Sequence, residues 1–211
     1  MWPDQRLLDL FAIEFPILQA PMAGATDAEI AVAVAKAGGL GALPAGMLSG
    51  EQVRAQVEQF RAAAGGKPIN LNFLAHKMPV PNNAREHAWR DKLEPYYVEF
   101  GIDPAASVAG ASRMPFDATM CTVVEELKPA IVSFHYGLPE RDLVARVKAA
   151  GCKVICSATT VDEARFLEKN GCDAINAQGV ERRRPSRHVP EYRRRYAGRP
   201  VCAASASGGC R

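Results

Sequence analysis

The chain has 211 residues, 48% of them apolar and 23% charged, with a formal net charge of +3. That balance suits a single globular domain with a real core and excludes a low-complexity or wholly disordered chain. No apolar run approaches the ~20 residues that span a bilayer, and Met1 to Leu10 lacks a basic segment followed by an apolar one, so a cytoplasmic protein with no membrane partner is expected.

Short apolar runs alternate with amphipathic stretches along the chain. Pro16 to Ala20 predicts a buried strand. Asp27 to Lys36 has helical spacing, with Thr26 or Asp27 as its cap and Gly38-Gly39 as its stop. Leu40 to Leu43 is a second strand. Ser49 opens a helix through Ala63, and Pro68 to Leu74 is a third strand. The stretch from His76 to Arg113 is rich in prolines, tyrosines and charges. It is read as an insertion or lid over residues 75–113, helical from Glu86 to Glu99, with His76 and His87 at its surface. Regular alternation then returns: helix Thr119 to Glu126, strand Ala130 to His135, helix Glu140 to Ala149, strand Lys153 to Ser157, helix Val161 to Lys169 and strand Ala174 to Gln178. Six β units joined by helices, with apolar rather than alternating strands, predict an α/β protein with a covered parallel sheet, either a barrel or a doubly wound sheet.

Charge is unevenly spread. Residues 182–211 hold nine arginines against one acid, Glu191, a net +8 that leaves residues 1–181 at −5. The body and the Arg-rich tail are therefore separate compositional objects. Six cysteines include no C-x-x-C pair, which argues against a metal site, and Cys152 and Cys156 lie in an apolar run as small hydrophobes. Polar residues collect where strands end: Gln19, Asn70, Asn72, His135, Ser157 and Gln178. In a barrel these are positions of the catalytic face.

The segment Phe15 to Gly24 (FPILQAPMAG) closely resembles the opening motif of the nitronate monooxygenase (2-nitropropane dioxygenase) family. Ala37-Gly38-Gly39-Leu40-Gly41 and Pro68 to Phe73 resemble its next two motifs. Val132 to Pro139 (VSFHYGLP) is similar to a signature of its class I branch, and Asn176 to Glu181 to the approach to its catalytic loop. The resemblance runs over residues 6–181 and implies a (β/α)8 TIM barrel that binds FMN non-covalently. It carries Met22, Ala23, Gly24, Asn72, Ser157, Gln178 and Gly179 over as flavin contacts, which suits a flat ring that needs small residues nearby and amide partners at its polar edge. His135 is a possible pocket residue. The implied reaction is oxidation of alkyl nitronates or nitroalkanes with dioxygen to carbonyl compounds and nitrite.

After Glu181 the family continues Ala-Gly-Gly-His-Arg-Gly, whose histidine is its catalytic base, and adds two more β/α units. Here Arg182-Arg183-Arg184-Pro185-Ser186-Arg187-His188 follows, and His188 is out of register with that motif. Read from the second base of each codon into the first base of the next, the same codons permit Ala-Gly-Gly-His-Arg-Gly. We therefore expect about six β/α units (residues 1–181) followed by an irregular, out-of-frame tail (182–211). The catalytic loop and the phosphate-side loops of the last strands would then be lost, and activity impaired. Two other readings are an FMN-dependent enoyl-acyl-carrier-protein reductase, which shares a similar opening motif, and a non-catalytic fragment. The arginine cluster has neither a binding fold nor interleaved aromatics, so no nucleic-acid partner is expected.

Overall fold

A computed structural model describes residues 2–103 and 113–179. The helices are α1 (Arg6–Phe11), α2 (Ala28–Lys36), α3 (Gly50–Ala64), α4 (Asn83–Glu99), α5 (Ala118–Leu127), α6 (Arg141–Ala149) and α7 (Val161–Lys169), and the strands are β1 (Gly41–Leu43), β2 (Ile69–Leu74), β3 (Ile131–His135), β4 (Lys153–Ala158) and β5 (Ala174–Ala177). The tail 182–211 and its expected irregularity lie outside the described residues.

The five strands form one parallel sheet in the order β1-β2-β3-β4-β5. Consecutive order with no reversal decides between the two architectures left open by the sequence. A doubly wound sheet changes direction at a switch point and carries helices on both faces. Here α2, α3, α5, α6 and α7 all pack on one face, through Ala31, Val53, Val57, Cys121, Val147 and Leu167 against Leu71, Phe73, Val132, Phe134, Val154 and Cys156. The sheet is part of a singly wound barrel.

The other face is graded along the strands. At their N-terminal ends, Leu40, Ile131, Ile155 and Ala174 form a second cluster with Phe11 and Ile13, covered by Leu7, Leu8 and Leu10 of α1. This helix was not expected from the sequence, since its six residues are too few to display a period. Phe11 is 1% exposed and closes the bottom of this face.

Local chemistry explains the element boundaries. Asp27 caps α2 by accepting from Glu29 and Ile30 N–H, and Ser49 and Gln52 form a reciprocal capping box on α3. Thr160 caps α7, and buried Glu163 accepts from both Thr159 N–H and Thr159 Oγ1 at 2.7 and 2.8 Å, which fixes the loop after β4.

The first expected strand differs from its prediction. Pro16–Ala20 joins the sheet through one parallel bridge, Leu18 to Leu40, and Ile17 is 59% exposed rather than buried. Its apolar run reads as a core strand, but it is the edge of the described sheet, and no described strand covers its outer side.

The described residues 78–103 belong to a second compact unit. Its helix α4 is capped by Asn82, whose side chain accepts from Arg85 N–H; the helix contains Pro95 and buries none of its residues. Ala75 belongs with the sheet: its N–H donates to His135 O at 2.9 Å.

Candidate active site

Strand register assembles a polar patch at the C-terminal end of the α1-covered face. In adjacent parallel strands paired residues share a face. Asn70 pairs with Ile131, Asn72 with Ser133 and Leu74 with His135, Ser133 with Ile155, and Ser157 with Asn176. The apolar floor Ile131–Ile155–Ala174 thus gives way, two residues up each strand, to Ser133 (level with Asn72), Ser157 and Asn176, and two residues further along β3 to His135.

These side chains engage one another. Asn72, 5% exposed, donates through Nδ2 to Ser133 Oγ at 2.9 Å. Ser157 Oγ lies 3.0 Å from His135 Nδ1. Gln19 Oε1 accepts Ala42 N–H at 3.0 Å, tying the first segment to β1. Two polar atoms in this region are buried without a partner among the described residues, Gln19 Nε2 and Asn70 Oδ1. A buried acceptor or donor of this kind costs about 1–3 kcal/mol unless something satisfies it.

The other expected site residues lie at loop starts. Met22 is 52% exposed, so it is not a core side chain. It opens a tight turn in which Thr26 Oγ1 accepts Met22 N–H and donates to Met22 O. Ala23 and Gly24 are exposed in that turn; Gly24 has φ +79° with open space where a Cβ would stand. Gln178 follows β5, is half-buried, and donates its N–H to Ala158 O at 2.8 Å, while Gly179 beside it is exposed. No hydrogen bond among the described residues joins the Met22–Gly24 turn to Asn72, Ser157 or Gln178.

Three features escaped the sequence reading. Ser133 is the partner of Asn72. Tyr136, directly after β3, holds φ +70°, a left-handed conformation that costs a non-glycine residue of order 1–3 kcal/mol and gathers at functional sites. His76, expected at the surface, is half-buried with an unpartnered Nδ1, and its ring stands edge-on to Tyr136 at 6.2 Å. The period-two spacing Asn70-x-Asn72 and Ser133-x-His135 is the signal that could have grouped Ser133 with the site.

Among the described residues, Cys152 and Cys156 are poorly suited to act as nucleophiles. Hydrogen bonding to Cys172, and then burial, push the Cys156 thiol up, and burial pushes Cys152 up to about 11. Both are neutral thiols on the helix-packed side.

The nitronate monooxygenase family model matches residues 4–183. The chain belongs to the nitronate monooxygenase family. It is 41% identical over 178 residues to a nitronate monooxygenase of Paraburkholderia phytofirmans, covering 84% of this chain and 48% of that protein. It is 39% identical over 178 residues to one from Pseudomonas aeruginosa, covering 83% and 50%. Among solved structures, nitroalkane oxidase from Streptomyces ansochromogenes superposes with a TM-score of 0.67 at 34% identity, over 83% of this chain and 48% of that one. FabK from Thermotoga maritima superposes with 0.58 at 28%, over 83% and 44%. The chain spans about half the length of the curated relatives it matches, and its described sheet is a partial barrel of the nitronate monooxygenase type. Among the described residues, no helix is long and apolar enough to cross a membrane.

Proposed function

We propose that this chain carries the ring-side part of an FMN-dependent nitronate monooxygenase site, for oxidation of alkyl nitronates with dioxygen to carbonyl compounds and nitrite. The observation that carries the reading is the polar patch on the C-terminal strand ends, with Asn70 Oδ1 and Gln19 Nε2 buried and unsatisfied beside it. These residues fit a flavin: the patch offers amide and hydroxyl groups, and the open Met22–Ala23–Gly24 turn lets a flat ring approach backbone. Asn72 and Gln178 would meet the polar edge of the ring, Ser157 offers its hydroxyl, and Gly179 leaves room. Bound there, FMN supplies the electron acceptor for the anionic nitronate, with dioxygen as co-substrate.

A pre-formed nitronate is already an anion and needs no base, whereas a neutral nitroalkane must first lose its α-proton. The residues after Glu181 depart from the family's Ala-Gly-Gly-His-Arg-Gly loop, so the base for the second class is not supplied at that place. Weakened FMN binding and activity are expected.

Visible absorbance and FMN titration test this. The 211-residue chain should be colourless. The chain with one base deleted near codon 182, restoring the histidine loop and the last two β/α units, should be yellow. Asn72→Ala and Gln178→Ala should each weaken its FMN binding by roughly 0.5–1.5 kcal/mol, the worth of one hydrogen bond. A yellow 211-residue chain with stoichiometric FMN would overturn the impairment. The alternative, an FMN-dependent enoyl-acyl-carrier-protein reductase, rests on the similar opening motif and requires NAD(P)H consumption with an enoyl thioester.

A further inference from the structure

We infer that Ser157 is a positioning residue that holds His135 as its Nε2–H tautomer, making this imidazole a hydrogen-bond donor to an oxyanion rather than a base. The tautomer stands on geometry alone; the oxyanion, a nitronate, rests on the function proposed above.

Register sets the pair. Phe134 is opposite Cys156, so the next residues along two adjacent parallel strands, His135 and Ser157, share the polar face, with Oγ 3.0 Å from Nδ1. A neutral imidazole has one donor and one acceptor nitrogen, and the bond made by one fixes the role of the other. A serine hydroxyl always carries a proton to donate. Among the described residues the hydrogen-bond partner of Ser157 Oγ is His135 Nδ1. Donation from Oγ–H to Nδ1 uses that proton and makes Nδ1 the acceptor, which puts the ring proton on Nε2. The reverse arrangement would leave the hydroxyl proton without a protein acceptor at a half-buried position.

The neighbouring serine is engaged with β2 instead: Ser133 Oγ accepts from Asn72 Nδ2. The backbone also holds the ring in place. His135 O accepts Ala75 N–H, and the following residue, Tyr136, sits in the left-handed region at φ +70°. Tyr136, with ring centroids 6.5 Å from His135, and beyond it His76 are titratable rings on this side of the imidazole. A donor at this place suits an anion whose charge rests on oxygen, and a nitronate spreads its charge over two such oxygens.

The test uses the full chain labelled with ¹⁵N-histidine. Long-range proton–nitrogen correlation spectra report the tautomer, and His135→Gln assigns the signal. Nδ1 should resonate as a lone-pair nitrogen and Nε2 as a protonated one. A hydrogen bond to the neutral ring opposes its protonation, so Ser157→Ala should raise the His135 titration midpoint by about half to one pH unit. Ser157→Thr, which keeps the hydroxyl, should restore it. A protonated Nδ1, or a midpoint that falls or stays put in Ser157→Ala, overturns the inference. In the frame-restored enzyme, Ser157→Ala should also slow nitronate turnover roughly two- to tenfold. If the spectra behave as expected and the restored enzyme ignores nitronates, the positioning role stands and the nitronate reading falls.

Discussion

Replacing Gly41 by alanine tests the way the first β/α unit is built. Gly41 begins β1, and a Cβ added there would stand 3.0 Å from the carbonyl carbon and 3.1 Å from the Cα of Ala31, with the carbonyl oxygen of Ala31 closer still. All three are backbone atoms of α2, so no rotamer change relieves the contact. Ala28, Ala31 and Ala35 are each 0–1% exposed and form the small-residue stripe on which the strand lies. The helix must therefore move as a body, and overpacking of this kind costs about 1–3 kcal/mol. Because all three contacts are to backbone of Ala31, we expect the upper end, about 3 kcal/mol. Gly66→Ala is the matched control: it also adds one methyl, but into space with nothing within 4 Å. It should be neutral or stabilise by about 0.4–1 kcal/mol through the unfolded state. Urea unfolding of the two variants beside the parent, at equal m-values, measures the difference. If both fall within about 0.5 kcal/mol of the parent, β1 does not approach α2 as described and the reasoning fails.

Three further outcomes are expected. Asn72→Ala should destabilise the chain by about 1–3 kcal/mol, because it removes a buried donor and strands Ser133; an unchanged urea midpoint would deny that the pair is closed. The Cys152 thiol is held at about 11 against an ordinary 9.0, so the folded chain keeps a proton that the unfolded chain loses above pH 9. Its stabilisation is full below pH 9 and lost as pH rises towards 11, about 2–3 kcal/mol at 1.36 per unit, and Cys152→Ala should flatten that decline in urea midpoints; an identical slope in the variant would contradict the assignment. Phe116→Ala should cost about 3–5 kcal/mol, since its ring sits 4.9 Å from Phe73 and 5.2 Å from Phe134 in the core; a loss under about 1 kcal/mol in the same unfolding experiment would mean that this aromatic cluster does not form.

The strands were legible because parallel strands covered by helices must be apolar throughout, as Val154-Ile155-Cys156 shows. Helix starts were legible from side-chain chemistry at Asp27 and Ser49. The family motif around Gly38 and Gly41 was visible as letters, and its physical reason, backbone against backbone at Ala31, appears only in three dimensions. The N-terminal helix was missed because Arg6–Phe11 is held by Phe11 packing under the sheet rather than by any local period. Individual site residues such as Asn72 and Ser157 could be named, but their partners could not. Which residue Asn72 or Ser157 meets depends on how β2, β3 and β4 align, and apolar runs do not fix register to one residue. For the same reason Ser133 went unnoticed.

We propose that the strand-end face of this chain belongs to a nitronate-oxidising site whose base the residues after Glu181 do not supply. Oxygen uptake and nitrite release by the frame-restored protein, with a pre-formed alkyl nitronate and added FMN, test it most directly. Oxygen-dependent nitrite release is expected, with His→Asn in the restored loop impairing neutral nitroalkanes far more than nitronates. A restored protein that releases no nitrite but oxidises NAD(P)H with an enoyl thioester would contradict it.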